Sequence, residues 1–87
     1  MKKDIFINHL DYVYNLVNEE YQRCQEGKSS YQSYQLKLIL KELKSMRFWL
    51  NPREFKPYYA HVIVDEWEHN DPLETQLLNL NYEYGKL

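Results

Sequence analysis

Only five of the 87 residues are glycine or proline: Gly27, Gly85, Pro52, Pro57 and Pro72. These two residue types supply most of the special backbone geometry that turns require. A chain with so few of them has few turns, and the long stretches between them favour helices over many short strands. The predicted class is therefore all-α.

Hydrophobic periodicity places the helices. Phe6, Leu10, Val13, Val17, Tyr21 and Cys24 recur at steps of three and four and fall on one face at 100° per residue. Asp4 stands at the start of that stretch and Gly27 at its end, the usual places for an acidic cap and a left-handed stop. A second stripe, Leu36, Ile39, Leu40, Leu43, Met46 and Leu50, follows Ser29 and Gln32, whose spacing is that of a capping box. Asn51-Pro52 ends it and opens a single turn over 52–56, which Pro57 interrupts. Tyr59, Ala60, Ile63, Val64 and Trp67 then share a face. The stretch 58–64 is rich in aromatic and β-branched residues, so a strand is the rival reading. A lone strand has nothing to pair with, and helix is preferred. Asp71-Pro72 repeats the start signal, and Leu73, Leu77, Leu80 and Tyr84 run on to Gly85. The expectation is one domain over 1–87, a small bundle of three to four helices at about 4–26, 29–50, 57–69 and 72–84.

Composition narrows the function classes. Charged residues are 28% with a net charge of −2, against both disorder and a strongly basic nucleic-acid binder. One cysteine allows no internal disulfide and fits a reducing compartment. The first residues lack the unbroken apolar stretch of a signal peptide, and no apolar run approaches membrane length. A cytoplasmic location away from any membrane is expected.

Few residues suggest chemistry. His61, Asp65 and His69 stand four apart and make a row that suits zinc or ferrous iron by ligand type. Eight residues span about 12 Å of helix, so a straight helix brings only adjacent pairs of that row to one ion. Cys24 lies on an apolar face near a helix C-terminus, where a thiol acts as a small hydrophobe. Glycine-rich phosphate loops and nucleophile motifs are absent from the sequence. The reading is non-enzymatic, with no cofactor expected.

The second helix carries the main functional signal. Tyr31, Leu38 and Trp49 fall nearly opposite its core stripe, and a helix apolar on two faces is either sandwiched or exposes one face to a partner. With Phe48, Phe55, Tyr58 and other members of a set of nine tyrosines, they form an aromatic surplus of the kind interfaces enrich. The expectation is a protein-interaction or regulatory module that binds another protein or itself, with self-association predicted. Lys37, Lys41, Lys44 and Arg47 form a basic strip on the same helix, a weak footprint for nucleic acid. Residues 1–50 carry eight Lys and Arg against six Asp and Glu; residues 51–87 carry three against seven.

Overall fold

The computed structural model describes residues 2–67 and 71–87. Its elements are α1 (Lys2–Gln25), α2 (Ser33–Trp49), α3 (Tyr59–Glu66) and α4 (Pro72–Tyr84). The helices form a closed ring of neighbours: α1 packs on α2 and α4, and α3 packs on the same two. Successive helices run in opposite directions. Cys24 near the end of α1 meets Tyr31 just before α2, Gln35 at the start of α2 meets Trp67 just past α3, and Phe6 at the start of α1 stacks on Tyr84 at the end of α4, 5.7 Å between rings.

The four stripes meet in one core. Phe6, Leu10, Val13 and Val17 come from α1; Leu36, Ile39, Leu40, Leu43 and Met46 from α2; Tyr59 and Ile63 from α3; Leu73, Leu77, Leu80 and Tyr84 from α4. The stretch 58–64 is helical from Tyr59 onward, so the strand alternative does not apply. Leu87 and Leu50 pack at the margin of this core.

The helix ends show which local signals hold. Gly27 has φ +72°, Gly27 N–H donates to Cys24 and Lys28 N–H to Arg23 at 2.8 Å, a pair of bonds that closes α1 through a left-handed residue. Asp71 caps α4 by accepting the N–H groups of Leu73 at 2.8 Å and Glu74 at 3.3 Å, with Pro72 in the first turn. Three boundaries need correction. The first helix is already formed at Lys2, so Asp4 lies within its first turn instead of capping its start. The second helix starts at Ser33, not at 29: Ser29 Oγ accepts the Tyr31 N–H at 3.2 Å and shapes a local turn instead of capping a helix. The third helix is eight residues long and bends out at Trp67, so it is shorter than 57–69; the expected tail at 68–69 lies outside the described residues. Val64, expected on its inner face, is exposed.

Between α2 and α3 the chain turns on Leu50, a non-glycine residue at φ 49°, ψ 35°. That conformation costs about 1–2 kcal/mol for a residue with a Cβ. It is offset by the Leu50 N–H bond to Met46 at 2.9 Å and by Leu50's contact with the core. Asn51 then accepts the N–H groups of Glu54 and Phe55, making the single turn expected after Pro52. The Tyr84 hydroxyl, 2.8 Å from the carbonyls of both Asn51 and Phe55, ties this connector to the end of α4.

His9 ties α1 to α4. Its Nδ1 lies 2.5 Å from Glu83 Oε2 and its Nε2 3.0 Å from Gln76 Oε1, so both ring nitrogens face acceptors. Burial works against the charged ring, but the bonds to Gln76 and Glu83 and the attraction of Glu83 outweigh it and raise the pKa above 6.5. A raised histidine pKa stabilises the fold fully below the unfolded value, and the contribution is lost as pH rises through the folded value. Urea unfolding of wild type and His9→Gln from pH 5.5 to 8.5 is the check. The difference between them is expected to be largest at the acid end and to shrink toward alkaline pH, and a difference that is flat with pH contradicts the imidazolium assignment.

Among the described residues no helix is long and apolar enough to cross a membrane.

Candidate interaction surface

α2 buries one face against α1 and α3 and turns the opposite face to solvent. Its outward positions are Tyr34, Leu38, Lys41, Ser45 and Phe48, at steps of four, three, four and three. Tyr34 is 65%, Leu38 36% and Phe48 77% exposed, and Trp49, next to Phe48 along the last turn, is 47% exposed. The Phe48 and Trp49 rings meet edge to face at 5.1 Å, which fixes the pair as one aromatic corner. Between the apolar ends, Ser45 Oγ donates to the Lys41 carbonyl at 3.4 Å, so the hydroxyl folds back on its own helix.

The seam has unequal flanks. On one side stand Lys37 and Lys44, exposed, with Lys41 on the seam itself; among the described residues none of the three has a carboxylate within ion-pair distance. Arg47, the fourth member of the expected basic strip, is not free in this way: its Nε lies 3.0 Å from Asp11 Oδ1 on α1. On the other side Glu42 is engaged, accepting the N–H groups of Tyr58 at 2.8 Å and Tyr59 at 2.7 Å.

Six residues were expected to form one aromatic surface, and the structure divides them. Leu38, Phe48 and Trp49 stand together on α2. Tyr58 is exposed on the connector before α3, its ring 5.0 Å from that of His61. Phe55 is half-buried and packs against the core. Tyr31 precedes α2, so its helical register with Leu38 and Trp49 does not hold. Its ring packs 4.9 Å from Trp67 and its hydroxyl donates to Asp71. Burial, reinforced by Asp71 and by the charges of Glu20 and Glu74, pushes that phenol well above its ordinary pKa. Tyr34 takes the place on the seam that Tyr31 was expected to hold.

A cleft of about 400 Å³ opens where Tyr31, Tyr34, Gln35, Glu66, Trp67 and Asp71 converge. Its polar walls are largely paired with one another. Gln35, 4% exposed, donates to Glu66 and accepts from Trp67 Nε1 at 2.9 Å, while Asp71 receives both the Tyr31 hydroxyl and the α4 cap. The cleft is thus a joint between the start of α2 and the end of α3. Gln35 and Glu42 carry no signature in the sequence, because nothing in a local pattern separates a polar side chain that bridges helices from one that meets water.

Of the candidate metal row, His61 and Asp65 are exposed on α3 and His69 lies outside the described residues. Among the described residues no three His, Cys, Asp or Glu side chains converge as a metal ion requires. Cys24 is half-buried, its thiol donating to the Tyr31 carbonyl at 3.3 Å. The His9 ring nitrogens are held by Glu83 and Gln76 and not by this thiol.

Comparison with protein-family models, with curated proteins and with solved structures finds no match.

Proposed function

We propose that this chain is a non-enzymatic interaction module that binds another protein through the outward face of α2, in the cytoplasm, where its single thiol stays reduced. The observation that carries the reading is the exposed line of Tyr34, Leu38, Phe48 and Trp49 on a helix whose opposite face already fills the core. Single exposed hydrophobes are ordinary, but apolar side chains aligned on one helix face and clustered at an aromatic corner mark contact surfaces. Aromatic anchors of this kind carry a disproportionate share of binding energy.

A photo-crosslinking residue placed at Ser45, on the seam one step from Phe48, tests it in cells. A discrete protein adduct is expected, and it should disappear when Phe48 and Trp49 are both changed to alanine while helicity is retained. An adduct indifferent to that double change, at unchanged circular dichroism, removes the aromatic corner from the interface.

The exposed Lys37, Lys41 and Lys44 support a second reading, contact with nucleic acid. It predicts binding to duplex or single strands at low salt that weakens with added salt and with Lys41→Glu. No binding at low salt excludes it.

A further inference from the structure

We infer that the segment seated on α2 is an acidic amphipathic helix from a different protein; this rests on the reading of α2 as the docking face. Shape comes first. From Tyr34 to Phe48 the seam is about 21 Å long and alternates steps of four and three, which is the spacing one helix presents to another. An added strand needs an unpaired backbone edge, and a helix with its N–H and C=O groups bonded internally has none to offer. A helix of about two heptads matches that length, and one of about three covers it with roughly a turn to spare at each end.

Charge decides the partner's composition. Lys37, Lys41 and Lys44 run along the seam with no carboxylate in ion-pair reach among the described residues. The acids nearest to hand are already committed, Asp11 to Arg47 and Glu42 to the start of α3. The anions that complement this strip therefore have to come from the occupant. Exposed ion pairs add little affinity each, but they select partners and orient them.

The same charges argue against a second copy. Matching the apolar positions of two α2 helices, parallel or antiparallel, sets Lys41 against Lys41 because it sits at the middle of the seam. Like charges placed across a helix pair disfavour it.

The test uses the full chain, labelled with ¹⁵N, and two stapled peptides of about three heptads with leucine at the a and d positions. One peptide carries glutamate at the flanking e and g positions and the other lysine. The acidic peptide is expected to shift the amides of residues 34–49, with affinity falling roughly tenfold or more between 50 and 500 mM salt. Phe48→Ala should weaken it by about tenfold. Changing Lys37, Lys41 and Lys44 to glutamate should transfer the preference to the basic peptide, a reversal that loss of folding does not produce. Equal binding of both peptides by wild type overturns the charge assignment and leaves the docking face standing. If neither peptide perturbs α2 while the Ser45 adduct still depends on Phe48 and Trp49, the occupant is not a helix of this kind. A fifteen-nucleotide oligothymidylate that displaces the acidic peptide and binds more tightly overturns the inference in favour of nucleic acid. Sedimentation showing a dimer that Phe48→Ala dissociates overturns it in favour of a second copy.

Discussion

Tyr59→Ala is expected to lower the unfolding free energy by about 3–5 kcal/mol, the range for truncating a fully buried aromatic residue. A domain of this size has roughly 4–13 kcal/mol in total, so the variant should be marginal at 37 °C. Tyr59 is completely inaccessible, and it joins three helices. Its backbone N–H goes to Glu42 on α2, its ring sits in the core at the first turn of α3, and its hydroxyl donates to the Leu77 carbonyl on α4 at 2.8 Å. Tyr59→Phe keeps the ring and loses only that bond. Because the Leu77 carbonyl lies inside a helix that can also use it, the expected loss is about 1 kcal/mol. Urea unfolding of both variants checks the ranking. A phenylalanine variant as unstable as the alanine one means that the hydroxyl bond, not the packed ring, holds the helices together.

The same residue sets an alkaline limit. Burial, with the charge of Glu42 adding to it, raises the Tyr59 pKa far above 10, so the phenol stays neutral in the folded state. The unfolded chain ionises near pH 10, so stability that is present below that pH falls as pH climbs above it.

The contrast between Tyr59 and its partners shows what the sequence makes legible. Leu36, Ile39, Leu43 and Met46 announce a core face because burial on a helix has a period that neighbouring residues display. Asp71 and Gly27 announce helix ends because a cap bonds to the backbone two or three residues away. His9 and Glu83, 74 residues apart, and Gln35 and Trp67, 32 apart, have no such local imprint; only the assembled bundle brings them together. Local signals also mislead when two structures share them. Ser29 and Gln32 have the spacing of a capping box, yet a serine can equally bond the amide two residues on, and it does so here. That choice moved the helix start to Ser33 and took Tyr31 out of register with Leu38. Leu38, Phe48 and Trp49 were readable as an outward face because all three fall within α2, Leu38 near its middle and the aromatic pair in its last turn, so the helical period holds for them. Tyr34 belongs to that face by the same arithmetic, but in a chain with nine tyrosines any single one is a weak signal.

Glu42→Ala is expected to cost about 2 kcal/mol, the scale of hydrogen bonds to an ionised acceptor. α3 has eight residues and no side-chain cap of its own: its N-cap residue, Tyr58, contributes none. The Glu42 carboxylate, reaching across from α2, accepts the N–H groups of Tyr58 and Tyr59. It also places a negative charge at the positive end of the short helix. Alanine leaves both donors without that partner, whereas Glu42→Gln keeps one acceptor oxygen and should lose about half as much. Amide exchange separates this role from a general loss of stability. Protection should fall first over residues 59–63, with the middle of α1 retaining its protection. The carboxylate also borders the docking face, on the flank opposite Lys37 and Lys44. Removing it leaves the seam of Tyr34, Leu38 and Phe48 in place and makes its surroundings more positive. An acidic helix should therefore bind the alanine variant at least as well as wild type, even though α3 opens more often. Weakened binding with undisturbed exchange in α3 would assign Glu42 to the interface and leave the short helix to be held by its packing alone.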